Sequence, residues 1–224
     1  MSWNKGFTKT THPGVAKISA TMKVRNINNF KQWRKNHPIL YANFSHTGDV
    51  AEYIGVVLGD GNIEQFPRTE RITIIGDAKK MGFVIRYAML TEKLFHKKPA
   101  VARMKNSNVV RISLYQKFIA RRLGIPTGNR KDFPYKLPLW IAINKNYLLR
   151  FLRGLFEAEG SLSINLPTYT YNFAFSNLNQ HLLLIVRDIL QKLEFHPEVR
   201  HNAIRIRKKA EVERLGNMLH FREY

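Results

Sequence analysis

Tyr53-Ile54-Gly55-Val56-Val57-Leu58-Gly59-Asp60-Gly61 and Leu152-Arg153-Gly154-Leu155-Phe156-Glu157-Ala158-Glu159-Gly160 end alike, and how they are read decides the fold. Each places a small residue four positions after a glycine, then an acid, then a closing glycine. Residues i and i+4 share one helix face, so Gly55 with Gly59 and Gly154 with Ala158 give each helix a flat stripe where a second backbone can lie close. Asp60 and Glu159 then fall at helix C-termini. A carboxylate there meets the negative end of the helix dipole, at a cost of roughly 0.3–1 kcal/mol unless something compensates. Two acids so placed point to a bound cation. An offset of 99 positions carries Asp60 onto Glu159, Gly55 onto Gly154 and Gly61 onto Gly160, which marks an internal duplication.

Composition narrows the partner. A chain of 224 residues that is 44% hydrophobic and 12% aromatic can close a packed core, so disorder is excluded as the default. Its 37 Lys and Arg against 16 Asp and Glu leave a formal charge of +21, and a polyanion is the partner such a surface fits. Nucleic acid leads. A membrane-surface protein would need a basic amphipathic helix that the sequence does not offer, and a basic ribosome-associated protein would not need two acid motifs. The absence of cysteine rules out disulfides and thiolate zinc, and the eight histidines show no His-x-x-x-His pairing. No apolar run reaches about 18 residues, so no signal or span is expected and the location is read as intracellular.

Along the chain, residues 1–48 form a basic extension whose apolar positions, Val15, Ile18 and Met22 and then Ile27, Phe30 and Trp33, predict one or two short helices. From residue 49 the pattern runs helix, hairpin, helix, hairpin, helix. The first repeat, 49–125, has strands at 62–67 and 70–75 broken at Pro67-Arg68-Thr69, a helix capped by Asp77, and a second hairpin turning at 105–108. Residues 126–145, with three prolines, read as a linker, and 146–224 repeat the order. The repeats end in rhyming Leu123-Gly124 and Leu215-Gly216. The predicted fold is α+β: two pseudo-symmetric αββαββα repeats whose antiparallel sheets form a saddle, with the motif helices packed at the pseudo-twofold axis.

Period-two alternation separates the strand faces. Arg71 and Thr73 oppose Ile72 and Ile74; Arg111 and Ser113 oppose Val110 and Ile112, with Arg103 and Lys105 placed across the hairpin on the same polar face. In the second repeat Ser161, Ser163 and Asn165 oppose Leu162 and Ile164; Thr170 and Asn172 oppose Phe173; Arg205 and Arg207 oppose Ile204 and Ile206. Arg68 stands at the first hairpin's tip. A two-stranded ribbon fits the major groove, where Arg reads guanine and Asn reads adenine, so these residues are the expected DNA contacts. Any sheet with one wet side alternates in the same way, and the summed charge and the paired motifs favour the DNA reading.

The Gly-x-x-x-small-acid-Gly helices resemble the signature of the LAGLIDADG homing endonucleases, in the two-motif form carried by one chain. The segment Lys17-Ile18-Ser19-Ala20-Thr21-Met22-Lys23 resembles small nuclease-associated modules. The resemblance implies a monomer that hydrolyses both strands of a long double-stranded DNA site with Mg2+ or Mn2+. It makes Asp60 and Glu159 the metal ligands, assisted by backbone carbonyls beside Gly59 and Ala158. Family members also set a basic residue near each active site, and Gly128-Asn129-Arg130-Lys131 offers Arg130 or Lys131 for one of them. Gly76-Asp77 and Ser176-Asn177 stand where some relatives have Gln or Lys. Glu157, two residues before Glu159, is placed on another helix face as a surface or seam residue. The same fold also admits a non-cleaving protein, either a maturase bound to intron RNA or a transcription regulator.

Overall fold

The computed structural model describes residues 4–25, 36 and 41–224, and divides the chain into two compact units, residues 1–42 and 43–224. In the first unit Pro13 presets the opening turn of helix α1 (Pro13–Val24), and His12 Nδ1 accepts the Gly14 N–H at 3.1 Å as its cap. No α1 residue is buried. The second helix expected around Ile27, Phe30 and Trp33 lies outside the described residues.

The second unit starts its seam helix α2 (Gly48–Gly59) at Thr47, whose hydroxyl accepts the Val50 N–H at 3.3 Å. There follow β1 (Gly61–Phe66), β2 (Thr69–Asp77), α3 (Met81–Phe95), β3 (Ala100–Arg103), β4 (Val109–Gln116) and α4 (Ile119–Leu123). After the one-turn α5 (Leu139–Ala142), which interrupts the expected linker, the order recurs. It runs α6 (Lys145–Glu159), β5 (Gly160–Asn165), β6 (Thr170–Ser176), α7 (Gln180–Lys192), β7 (Glu198–Arg200), β8 (Ala203–Ile206) and α8 (Lys209–Leu219). The antiparallel sheets are ordered β1-β2-β4-β3 and β5-β6-β8-β7, so each repeat builds one half of the predicted α+β architecture.

Apolar strand residues point inward from both sheets. Ile63, Ile72, Ile74 and Ile112 are at most 1% exposed, as are Phe173, Phe175, Ile204 and Ile206. Phe156 of α6 meets Phe173 edge-on with ring centroids 4.8 Å apart, tying the seam helix to its own sheet. Glu52 of α2, fully buried, accepts Arg86 Nε of α3 at 2.6 Å and faces Arg150 Nε of α6 at 2.6 Å, which joins the three helices on the side away from the acids. A charge buried this deeply persists because it is paired on more than one side.

Three local expectations are corrected. Asp77 does not cap a helix; it closes β2 opposite Val109, and α3 begins at Met81. Gly124 is the left-handed end of α4, but Gly216 lies inside α8, which runs on to Leu219 and ends at left-handed His220. Leu162 and Ile164 share the inward side of β5 yet are 38% and 48% exposed. Ile63, at the equivalent position of β1, is fully buried because the chain after α4 crosses β1, with Gly128 N–H donating to Ile63 O at 2.9 Å.

Candidate active site and nucleic-acid interface

The site is built on the seam between α2 and α6. A Cβ on Gly55 would run into the Phe151 carbonyl, and one on Gly154 into the Glu52 carbonyl and, at 2.7 Å, the Val56 nitrogen. A Cβ on Gly59 would come within 2.5 Å of Ala158 Cβ and 3.2 Å of Glu159 Cγ. The small-residue stripes therefore face each other backbone to backbone, and they bring the C-terminal ends of both helices together. Asp60 follows α2 directly, and Glu159 is the last residue of α6.

Glu159 is close enough to oppose the ionisation of Asp60. Burial first and the charge of Glu159 second push the Asp60 carboxyl up to about 7, with Lys80 pulling the other way. Burial also raises Glu159. Each acid looks into its own cleft. Asp60 shares one with Gly76, Asp77, Lys80, Asn108 and Glu157; Glu159 shares the other with Asn129, Arg130, Lys131, Asn177 and Asn179.

Arg130 is largely buried, which lowers its pKa. Its Nη2 donates to Gly61 O and, at 2.9 Å, to Val57 O, while Nη1 has no hydrogen-bond partner. Asn179 is fully committed: Nδ2 holds Arg130 O at 2.7 Å and Phe133 O at 2.9 Å, and Oδ1 caps α7 through Leu182 N–H at 3.0 Å. Lys131 is exposed beside it.

Lys80 and Asn179 were not singled out from the sequence. Both are the residue immediately before the repeat's middle helix, and that shared place was the available signal. Of the two places expected for Glu157, surface or seam, the surface is the one corrected. Glu157 is 5% exposed, raised by burial, and accepts the Arg222 N–H at 2.6 Å and the Tyr224 hydroxyl.

A cation fits the donor set. Two carboxylates from separate helices, one held up to about 7 in part by the other's charge, form a centre that a divalent ion would relieve. Among the described residues no three His, Asp or Glu side chains converge as a cage. One carboxylate per helix suits Mg2+, which keeps much of its water and completes its shell with substrate oxygens.

Strand register settles which of the expected DNA contacts share a face. Glu64 pairs with Arg71, Arg71 with Tyr115, Thr73 with Ser113 and Ile75 with Arg111, so Arg71, Thr73, Arg111, Ser113 and Tyr115 line one surface. Arg71 is also tied by its ion pair to Glu64 and by Nη1 to Tyr115 Oη at 3.2 Å. In the second sheet Ser163 pairs with Asn172, Asn165 with Thr170 and Ala174 with Arg205, which puts Ser161, Ser163, Asn165, Thr170, Asn172 and Arg205 on one side. Arg207 lies just past β8.

Arg103 is a correction. It pairs with Val110 and so belongs to the apolar side, and its guanidinium turns back onto Ser107 O and Asn108 Oδ1. Lys105 and Arg68 are exposed in turns. Arg71 Nε, Arg111 Nε, Asn172 Oδ1 and Arg205 Nε on the polar surfaces are shielded yet lack hydrogen-bond partners. Buried polar groups are ordinarily satisfied, so these four stand out on the polar faces.

The fold just described is the LAGLIDADG fold. Residues 146–223 match the family model of the LAGLIDADG-like domain, so the second repeat carries that domain. Mesophilic variants of the homing endonuclease I-DmoI superpose with a TM-score of 0.55 at 16% identity, over 78% of this chain and 96% of that one. I-DmoI in complex with DNA and Mn gives 0.53 at 15%, over 78% and 97%. The N-terminal LAGLIDADG domain of DUF199/WhiA gives 0.54 at 16%, over 78% and 82%. No curated protein matches the chain by sequence. No helix among the described residues is long and apolar enough to cross a membrane.

The raised Asp60 makes a pH prediction. Its folded value, about 7, lies above the ordinary 3.8, so its contribution to metal-free stability is fully present at low pH and is lost as pH rises through about 7. Asp60→Asn should therefore stabilise the metal-free protein at pH 8, on the order of 2 kcal/mol after solvent screening, with the advantage gone near pH 4. If the two acids hold a divalent ion, adding Mg2+ should reverse the order, because the wild type, with both carboxylates, gains more from a ligand that binds the folded state. Thermal melts of both proteins at the two pH values, with and without Mg2+, check it, and identical melts throughout would contradict it.

Proposed function

We propose that this protein is a site-specific DNA endonuclease that acts as a monomer inside the cell, hydrolysing both strands of a long duplex site with Mg2+ or Mn2+. The observation that supports the reading is the close approach of the two seam-helix ends that carry Asp60 and Glu159, in a fold with two sheets whose polar faces are rich in Arg, Asn, Ser and Thr. The net charge of +21 supplies sequence-independent attraction to phosphate, and the orphaned Arg and Asn groups supply candidates for base contact.

In this reading Asp60 and Glu159 hold the ions, with carbonyls beside Gly59 and Ala158. Bound divalent ions would supply Lewis-acid activation of the attacking water and stabilisation of the leaving oxygen. The chain's own groups do the rest. Lys80 stands beside Asp60, and Arg130 and Lys131 beside Glu159, where positive charge faces the phosphate; the polar sheets fix the duplex in register. The basic residues 1–48 extend the footprint.

A cleavage selection on a randomised duplex library with Mg2+ tests this. Recovery of one family of sites cut on both strands is the expected result. Sequence-specific gel shifts with no cutting in Mg2+ or Mn2+ would leave a non-cleaving regulator or maturase instead. Arg205→Ala should relax preference at one half of the recovered site, costing about 1–3 kcal/mol of discrimination there. A uniform loss over all sequences would reduce Arg205 to a phosphate contact.

A further inference from the structure

The acid-bearing corners are clamped alike but anchored differently. In the first repeat Arg130 Nη2 holds Gly61 O, the carbonyl just after Asp60, and the Arg130 loop is tied down by Asn179. In the second repeat Arg222 Nη2 donates at 3.2 Å to Gly160 O, the carbonyl just after Glu159. Both arginines follow the last helix of their repeat, although 92 positions rather than 99 separate them, so the motif offset does not reveal the pair.

What anchors Arg222 is Glu157. Its carboxylate, with a fully buried side chain, accepts the Arg222 backbone N–H and the Tyr224 hydroxyl, and Arg153 Nε lies 4.0 Å away. Arg153 Nη2 in turn donates to Glu223 O at 2.9 Å. Tyr224 then crosses to the first repeat: a Cβ on Gly82 of α3 would lie 2.5 Å from Tyr224 Cβ and Cδ2. The corresponding residue of the first motif is apolar Leu58, 8% exposed, which makes no such anchor.

We propose that Glu157 is a positioning residue of the second half-site: by anchoring the 222–224 segment through the Arg222 N–H and the Tyr224 hydroxyl, it keeps the Arg222 guanidinium on Gly160 O and fixes the corner from which Glu159 projects. The inference rests on the endonuclease reading, in which each acid serves one strand. The anchored segment and the Gly160 carbonyl both belong to the second repeat, and because the Glu157 carboxylate also lines the Asp60 cleft, Gly82→Ala, which leaves that carboxylate in place, isolates the anchoring effect.

Glu157→Leu copies the residue at Leu58 and so suits a helix of this packing. With a duplex labelled on each strand, this variant should cut one strand about tenfold more slowly while the other stays within about twofold. Glu157→Gln, whose one carbonyl oxygen can still accept the Arg222 N–H while its amide N–H donates to the Tyr224 hydroxyl oxygen, should cut both within about threefold of wild type. Gly82→Ala, which pushes on Tyr224 without touching Glu157, should slow the same strand.

In metal-free full-length protein, Glu157→Leu should speed hydrogen exchange at amides 160–162 about tenfold and leave 61–63 unchanged. Equal slowing of both strands, or unchanged exchange at 160–162, would overturn the assignment. If the wild type cuts no duplex, the endonuclease reading falls on that result, and the exchange measurement still decides whether Glu157 holds the corner.

Discussion

Asp60→Asn and Glu159→Gln should each lower double-strand cutting by about 10³-fold or more, a loss of about 4 kcal/mol of transition-state stabilisation. Specific duplex affinity in Ca2+ should stay within about tenfold, or about 1.4 kcal/mol. Both changes keep the side-chain volume and remove the charge, so the seam beside Gly59 and Ala158 is undisturbed. What disappears is one of the two motif carboxylates, and a neutral amide is a poor ligand for Mg2+. Binding should survive because the duplex contacts proposed above lie on the strands, not on these two side chains. Quantitative cutting and gel-shift assays on the same preparations decide it: undiminished cutting by either variant would remove that residue from the site, and parallel loss of binding would make it structural.

Gly154→Val should unfold the protein or come near to it. The added Cβ points into the Glu52 carbonyl and the Val56 nitrogen, which are backbone atoms of a helix buried along most of its length. Overpacking commonly costs about 1–3 kcal/mol where neighbours can shift, and more where the obstacle is main chain, so about 3–5 kcal/mol is expected here. Against a typical total stability of about 5–15 kcal/mol that is a large fraction. Gly216→Ala in α8 is the control. Nothing lies within 4 Å of the added methyl, and the change should stabilise by about 0.5–1 kcal/mol through helix propensity. Urea midpoints of the variants, read with the wild-type slope, give both numbers; a Gly154→Val midpoint equal to that of wild type would mean the helices do not touch as described.

The parts of this molecule legible in the sequence are those encoded by local periodicity. The i, i+4 stripes Gly55/Gly59 and Gly154/Ala158 gave away the seam, and alternation in Ile204-Arg205-Ile206-Arg207 separated inside from outside. What stayed hidden depends on contacts made far along the chain. The burial of Glu157 comes from residues 222–224, about 65 positions away, which no helix-face argument can see. Arg103 was misplaced because alternation fixes faces within a strand, while pairing between strands is set by the loop joining them; the 104–108 loop brings Arg103 opposite Val110. Asp77 looked like a cap because its residue type suits one, yet the ladder to β4 carries the strand through it. Leu162 and Ile164 pointed inward as expected, but only the first repeat has described chain lying over that edge.

Register also shows how far the halves have drifted apart. The second hairpin's turn is two residues longer, spanning 166–169 against 67–68, so the Glu64–Arg71 pair of the first sheet is matched by Ser163 with Asn172, and Ser113 by Arg205. Two halves of one saddle thus present different chemical alphabets to whatever spans them. A duplex laid along both could not satisfy them with mirrored sequence, and its preferred letters should read differently from left to right than from right to left.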